Sequence, residues 1–144
     1  MHEWSIADSI VATLLQLVER GGISQPIKRV VIQVGKLVQI EKDILLFALR
    51  ELSKNTPLER TEFVLKEEDT VFRCNNCGYT WSWDDVVKEL EREIQDKDLR
   101  KAYLESMHMV PSMIYAFNKC PRCGSTDFEI IKGFDLSIEK IETQ

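Results

Sequence analysis

Apolar residues in the first half of the chain recur with two alternating periods. Residues 5–20 and 41–53 place apolar side chains three or four positions apart, which predicts two amphipathic helices. Residues 28–36 and 61–68 alternate between apolar and polar side chains, which predicts two strands. The chain therefore begins as a helix–strand–helix–strand unit.

The same spacings predict which helical side chains face the core. In the first helix these are Ile6, Ile10, Leu14 and Leu17, and in the second they are Ile44, Leu45, Ala48 and Leu52. Ser5 and Asp8 are spaced as in a capping box, so we expect the first helix to begin there, and Gly21-Gly22 ends it.

The C-terminal tail returns to a strand pattern over residues 134–141, with Phe134, Leu136 and Ile138 on one face. Two strands alone are only marginally stable, so the tail is expected to complete a sheet. These elements predict an α+β fold, in which two helices accompany a small three-stranded sheet.

The stretch between the second strand and the tail is then an inserted module. We assign residues 1–69 and 133–144 to an α/β domain and residues 70–132 to the module. Within the module, residues 84–105 are charged and helix-prone. Their thin apolar seam consists of Val87, Leu90, Ile94 and Leu99.

All four cysteines lie in that module, in two pairs of the form Cys-x-x-Cys-Gly. Cys74 and Cys77 form one pair, and Cys120 and Cys123 form the other. Two cysteines three positions apart in a tight turn direct both sulfurs to one point, and two such turns build a tetrahedral site that suits Zn²⁺. The sequence therefore predicts a zinc-ribbon-like module.

Three other interpretations of the cysteines stay open at this stage. They are a rubredoxin-type iron site, two disulfides and a redox-active pair. A closed four-thiolate site has no free position for substrate, so zinc here is expected to be structural.

The first three residues suggest a second metal site. The α-amine of Met1, the backbone nitrogen of His2 and the His2 imidazole can chelate one ion in fused rings. Three coplanar nitrogens suit Ni(II) or Cu(II). Glu3 is a candidate oxygen ligand or a hydrogen-bond partner for the imidazole. The alternative is a solvated histidine with no metal role.

The second histidine, His108, lies between Met107 and Met109 in the module. One interpretation is a packed or surface histidine. A second is a fourth nitrogen ligand for the N-terminal metal, and a third is a methionine–histidine patch for Cu(I).

Charge and missing motifs exclude several functions. The net charge of −5 disfavours nucleic-acid binding through a broad positive field. No apolar run reaches the roughly 18–20 residues of a membrane helix. The early acidic residues argue against a secretory signal, so we expect a cytoplasmic protein. With two histidines and no recognised catalytic motif, the chain is not expected to be an enzyme.

Several motifs occur together and in order. They are MHEWSIA at residues 1–7, VGKL at 34–37, LFAL at 46–49 and the two CxxCG pairs. In this combination the chain resembles the HypA family of hydrogenase nickel-incorporation metallochaperones, over essentially its whole length.

The resemblance implies a nickel site at the free N-terminus, carried onto His2 with Glu3 in support. It also implies structural zinc on Cys74, Cys77, Cys120 and Cys123. The long segment between the cysteine pairs looks like the archaeal branch of the family, in which a histidine of this segment serves as a further nickel ligand. His108 matches that position.

The partners implied by the resemblance are the HypB GTPase and the precursor of the [NiFe] hydrogenase large subunit. A homodimer stays open. The rival hypothesis is a zinc-ribbon adaptor protein without a nickel role, and blocking the α-amine would distinguish the two.

Overall fold

Helices and strands follow one another along the first half of the chain as predicted. The computed structural model describes residues 2–23, 26–38 and 40–144, and it describes residues 108 and 111 by their backbone alone. The longer helices are α1 (Glu3–Glu19), α2 (Lys42–Ser53), α3 (Trp83–Glu93) and α4 (Lys97–Met109), followed by a 3-10 turn (Pro111–Met113) and the short α5 (Ile114–Phe117). No helix in the described ranges is long and apolar enough to span a membrane.

Within the described ranges, six strands form two three-stranded sheets. The strands are β1 (Ile27–Gly35), β2 (Glu62–Glu68), β3 (Val71–Cys74), β4 (Thr80–Ser82), β5 (Phe128–Lys132) and β6 (Leu136–Thr143). The first sheet has the order β2-β1-β6, so the C-terminal tail completes it as predicted. The second sheet, β4-β3-β5, is antiparallel and contains a bulge between Val71 and Phe72.

The chain divides into two compact units. Unit 1 comprises Met1–Gln33, Ile40–Lys66 and Ser137–Gln144, and unit 2 comprises Val34–Gln39 and Glu67–Leu136. In unit 1, α1 packs against α2. Its fully buried apolar side chains come from both helices, from β1 and from the turn before β2; they are Ala7, Leu14, Val30, Ile32, Leu45, Ala48, Leu49 and Leu58.

The first helix begins earlier than its sequence signal predicts. The Ile6 N–H donates to the His2 carbonyl at 2.9 Å, so His2 is the N-cap and the expected capping box at Ser5 is wrong. The Glu3 carboxylate accepts a hydrogen bond from the Glu41 N–H at the start of α2, at 3.0 Å. This tertiary contact holds the first turn in the helix, which sequence spacing cannot reveal.

The C-terminal end of α1 agrees with the prediction. The N–H of Gly22 donates to the Leu17 carbonyl at 3.0 Å, and the N–H of Gly21 donates to Val18 at 3.2 Å. Gly21 has a φ of +73°, in the left-handed region that favours glycine. This pair of bonds is a Schellman motif, so the two glycines end the helix as expected.

Several side chains predicted to be inward are exposed instead. Ile44 is 41% exposed because α2 turns Leu45, Ala48 and Leu49 inward, which leaves Ile44 at the flank. Leu17, in the last turn of α1, is exposed as well. Phe134 precedes β6 rather than lying in it, and it is 53% exposed.

The helix-prone stretch 84–105 forms two helices rather than one. Ser82 and Asp85 build a reciprocal capping box at the start of α3. The Asp96 carboxylate accepts from the N–H groups of Asp98 and Leu99 and so begins α4 separately. Leu99 is half exposed, so the predicted apolar seam ends before it.

The core of unit 2 is largely aromatic. Phe72 stacks on Trp81, with ring centroids 5.5 Å apart, and Phe128 meets both rings edge to face. Leu37, from the segment that follows β1, is buried in the same cluster together with Leu90 of α3. The core therefore draws on chain segments far apart in sequence.

Three segments of unit 2 cross at very close range beside this core. A Cβ atom on Gly35 would lie 2.2 Å from the Gly133 carbonyl oxygen, and one on Gly133 would lie 2.3 Å from the Asp69 carbonyl oxygen. The buried Thr70 hydroxyl donates to the same Gly133 carbonyl at 2.8 Å. Only glycine leaves room for this crossing.

We expect Gly35→Ala to destabilise the protein by about 3 kcal/mol or more, because backbone rather than a flexible side chain meets the added methyl group. Gly22→Ala is the milder comparison and should lose less stability, since its Cβ would lie 3.3 Å from the Leu17 carbonyl oxygen, a tight contact but more than 1 Å longer. Urea unfolding of both variants measures the difference. A loss of stability in Gly35→Ala no larger than that in Gly22→Ala would contradict the close approach of Gly35 to Gly133.

Candidate metal centre

The first cysteine pair lies in a tight turn at the end of β3. The N–H groups of Asn76 and Cys77 both point at the Cys74 sulfur, each at 3.4 Å. The Gly78 N–H donates to the Cys74 carbonyl at 3.0 Å, and Gly78 has a φ of +79°. The glycine lets the backbone fold under the sulfur, which is why it follows the second cysteine.

The second pair repeats this geometry in the segment before β5. The Cys123 N–H points at the Cys120 sulfur at 3.5 Å, and the Gly124 N–H donates to the Cys120 carbonyl at 2.9 Å. Gly124 has a φ of +77°. The two turns are therefore equivalent knuckles, each presenting two sulfurs.

The four sulfurs converge on one point. Cys74 Sγ lies 3.5 Å from Cys123 Sγ, and Cys77 Sγ lies 3.6 Å from Cys120 Sγ. All four atoms lie within 4.8 Å of one another. Zinc–sulfur bonds of about 2.3 Å in a tetrahedron separate the sulfurs by about 3.8 Å. The donor set and its spacing therefore fit a tetrahedral ion.

One cysteine of each pair is buried and the other is exposed. Cys74 and Cys120 face the interior, and Cys77 and Cys123 face solvent. The centre thus lies at the rim of the unit 2 core. Four sulfurs around one ion leave no position for a substrate, so the arrangement suits a structural role.

Hydrogen bonds make the two exposed thiols unequal. The Ser125 N–H and the Asn76 side-chain amide stabilise the thiolate of Cys123 and lower its pKa to about 6. For Cys77, the Tyr79 N–H lowers the pKa, but desolvation and the neighbouring thiols outweigh it and raise the pKa to about 11. Without a metal, Cys123 is therefore the thiol most readily ionised of the two.

Asn76 is a candidate site residue that the sequence analysis missed. Its side-chain Nδ2 lies 3.6 Å from the Cys123 sulfur, so it links one knuckle to a ligand of the other. The sequence could have indicated this role, because Asn76 lies between Cys74 and Cys77, where a side chain can reach the facing knuckle. Such outer groups orient metal ligands and tune their basicity.

The N-terminal candidates lie in unit 1. His2 is exposed at the N-cap of α1, while Glu3 is only 5% exposed and its carboxylate accepts from the Glu41 N–H. Met1 lies outside the described residues. The structure thus gives Glu3 a helix-anchoring contact that the sequence did not suggest, and it leaves the nickel ligand set a prediction.

His108 belongs to the last turn of α4 by its backbone, and its side chain lies outside the described part of the chain. Met107 beside it is fully buried, and Met109 is exposed. The role of His108 as a ligand therefore stays a prediction.

Together, the fold and the sulfur cluster define a small α+β metal-binding protein with a zinc-ribbon-like unit. Residues 1–143 match the family described as "Hydrogenase/urease nickel incorporation, metallochaperone, hypA". The chain belongs to this HypA family, as its motifs suggested. Members are maturation factors rather than enzymes, in agreement with the prediction.

Curated relatives of the same family match this chain over nearly their full length. The chain is 38% identical to the hydrogenase maturation factor HypA of Pyrococcus furiosus, over 98% of this chain and 94% of the relative. It is 31% identical to the same factor from Ignicoccus hospitalis, over 100% of this chain and 97% of the relative.

A solved structure shows the same fold. The solution structure of the Ni metallochaperone HypA from Helicobacter pylori superimposes with a TM-score of 0.60 at 16% identity, covering 99% of this chain and 97% of the other. The predicted α+β fold is therefore confirmed.

In metal-free protein we expect iodoacetamide to alkylate Cys123 before Cys77 at neutral pH, with a rate that is half-maximal near the Cys123 pKa of about 6. Asn76→Ala should shift that midpoint upward, because it removes a donor to the thiolate. Asn75→Ala is the control, since the Asn75 side chain binds Asp127 instead. Peptide mass spectrometry follows each site, and equal reactivity of Cys123 and Cys77 would contradict the assignment.

Proposed function

We propose that this protein binds Ni(II) at its N-terminus and delivers it to the precursor of the [NiFe] hydrogenase large subunit. The observation that carries the proposal is the exposed His2 at the very start of α1, in a chain of the HypA family. The solved Helicobacter pylori relative is itself described as a Ni metallochaperone.

The position of His2 suits square-planar chelation. A helix leaves its first four N–H groups without an intrahelical acceptor, and the N-cap amide is one of them. The His2 amide nitrogen can thus release its proton to solvent and bind a metal without breaking a hydrogen bond of the helix. With the Met1 α-amine and the His2 imidazole it supplies three nitrogens.

Glu3 and His108 complete the proposed set in different ways. The buried Glu3 carboxylate supports the site by holding the first turn of α1 against the start of α2, through its bond from Glu41. His108 is proposed as a further nitrogen ligand. We assign the N-terminal residues of this nickel site to the domain of residues 1–69 and 133–144, whereas His108 belongs to the module of residues 70–132.

Zinc is proposed as the resident ion of the module at residues 70–132. Cys74, Cys77, Cys120 and Cys123 would hold it, and the ion would pin two knuckles that 42 residues (78–119) separate. Zinc would act here as a cross-link that joins the two cysteine turns. The stacked rings of Phe72 and Trp81 belong to the same buried cluster as Cys74 and Cys120.

Nickel transfer requires a site that is exposed as well as tight. Copper binds such nitrogen sites more strongly than nickel, so selectivity must come from metal supply and from docking. The proposed partners are the HypB GTPase and the large subunit precursor, in the cytoplasm, with a homodimer as a further assembly. Because the nitrogens lose protons on binding, nickel affinity should fall as the pH falls.

Cys74→Ser should reduce bound zinc from about one ion per chain to nearly none, because three thiolates hold zinc much less tightly than four. Its near-ultraviolet circular dichroism should also weaken as the aromatic core loosens. Ser112→Ala, an exposed serine of the same unit, is the control. Elemental analysis that finds iron in place of zinc, or full zinc in Cys74→Ser, would refute the assignment.

In zinc-loaded wild-type protein, nickel titration should give about one yellow, diamagnetic, square-planar Ni(II) per chain. His2→Ala should abolish this spectrum, as should a peptide extension before Met1, because each removes a nitrogen of the chelate. His108→Ala should weaken the affinity if the imidazole is a ligand. Absorbance and calorimetry measure all four proteins.

Two outcomes would contradict these assignments. Equal nickel affinity in wild type and His108→Ala would exclude His108 as a ligand. Unchanged binding in both His2→Ala and the extended protein would exclude the N-terminal site and favour the zinc-ribbon adaptor.

A further inference from the structure

A cavity of about 300 Å³ lies within unit 2, beside the second cysteine knuckle. One of its walls is α3, and the other is the chain segment of residues 117–124. The apolar part of its lining comes from Val86 and Leu90 of α3 and from Phe117. A cavity of this size, with an apolar lining and a few polar groups, is typical of a binding site.

Three carboxylates of α3 line the same cavity. Asp85, Glu89 and Glu93 recur every four residues, so they form one row along the helix. Asp85 belongs to the capping box and Glu89 pairs with Arg92, whereas Glu93 has no ion pair among the described residues. Only Lys119 is basic among the described residues that line the cavity. The lining is therefore acidic overall and favours a cationic ligand.

The cavity is also lined by a buried amide with an unused donor. Asn118 is only 5% exposed, and its Oδ1 accepts a hydrogen bond from the Trp81 indole N–H at 3.2 Å. Its Nδ2 is buried and has no hydrogen-bond partner among the described residues. Buried donors without an acceptor are rare in proteins, because they have lost their hydrogen bonds to water. Since Oδ1 is committed to Trp81, the Nδ2 hydrogens remain for an oxygen atom of a ligand.

These groups select a cation that also carries an oxygen acceptor. Asp85 and Glu93 are eight residues apart, which is about 12 Å along a helix, so the row of carboxylates cannot surround a single metal ion. A guanidinium forms paired hydrogen bonds with a carboxylate, stacks on aromatic rings and is more weakly hydrated than an ammonium. Glu93 and the Phe117 ring, which meets Tyr103 edge to face at 4.7 Å, offer both kinds of contact. The main-chain carbonyl of an arginine supplies the acceptor.

The hollow is longer than one side chain requires. A neighbouring cavity of about 400 Å³ shares five lining residues with the first, including Glu93 and Asn118, and extends to Ile94, Tyr103 and Thr126. The two cavities adjoin and form a groove along the end of α3. A groove with a main-chain hydrogen-bond donor suits an extended chain segment better than a free small molecule.

We propose that this groove, which we call the Asn118 groove, binds an extended segment of a partner protein that presents an arginine side chain. The guanidinium pairs with Glu89 and Glu93 and lies on the Phe117 ring. A main-chain carbonyl of the same segment accepts from Asn118 Nδ2. The inference goes beyond the proposed function, because the groove uses none of the proposed nickel ligands.

The test uses isotope-labelled, zinc-loaded, full-length protein and the probe N-acetyl-L-arginine methylamide, which has a guanidinium and two amide carbonyls. NMR follows the indole N–H signal of Trp81 and the side-chain amide signals of Asn118. The indole signal of the exposed Trp4, in unit 1, is an internal control. Two matched probes separate charge from shape: the citrulline analogue is neutral, and the lysine analogue carries an ammonium.

We expect the arginine probe to shift the Trp81 and Asn118 signals saturably, with a Kd of about 1 mM, as for a ligand of about 16 non-hydrogen atoms. The citrulline and lysine analogues should bind about tenfold more weakly or worse, because neither forms the paired bonds of a guanidinium with a carboxylate. Glu93→Gln should weaken binding of the arginine probe about fivefold or more, because it removes a charge from the groove. Glu91→Gln is the matched control, since Glu91 is an exposed residue of α3 outside the groove, and it should bind as wild type does.

Four results would overturn the inference. The first is the absence of a saturable shift of the Trp81 and Asn118 signals at about 10 mM arginine probe. The second is equal affinity for the arginine probe and either analogue. The third is an equal effect of Glu93→Gln and Glu91→Gln. The fourth is a shift of the Trp81 signal when the protein alone is diluted, which would make a second copy of this chain the occupant of the groove.

Discussion

The convergence of four cysteine sulfurs is the constraint on which unit 2 depends. The two knuckles are separated by 42 residues, and the strands that carry or flank them belong to one small sheet. Closing a loop of this length costs chain entropy that the few strands of β4-β3-β5 repay only in part. The proposed shared ion would offset more of this cost. The aromatic rings of Phe72, Trp81 and Phe128 belong to the same buried cluster as the sulfurs of Cys74 and Cys120.

A second contact organises the start of the chain. The Glu3 carboxylate is buried and accepts from the Glu41 N–H, so the first turn of α1 is held where α2 begins. A carboxylate at a helix start is favourable, because the free N–H groups there are hydrogen-bond donors. His2 is exposed at the N-cap of the same turn, and Trp4 meets the Phe47 ring of α2 edge to face. In this way one charged side chain connects the fold to the proposed metal delivery.

The sequence predicted which helices and strands form better than it predicted which of their side chains are buried and where each helix begins and ends. Helix α1, strand β1 and the strand character of β6 follow from local periodicity, which backbone geometry imposes directly, whereas the return of β6 to the first sheet was inferred because two strands alone are only marginally stable. Ile44 and Leu99 were assigned to buried faces that the structure leaves exposed, because a helix can turn by a fraction of a residue step to suit its neighbours. The break between α3 and α4 depends on capping by Asp96, which a continuous charged stretch conceals.

The paired CxxCG spacing by itself determined that four sulfurs would form two equivalent knuckles, because a tight turn with glycine after it permits little else. The sequence motifs also determined the family. Only the tertiary structure decided that Asn76 reaches the Cys123 sulfur, that Gly35 meets Gly133, and that Trp4 and Phe47 share a surface. Those contacts join residues far apart in the chain, and their distances depend on how whole elements pack, which no local pattern encodes.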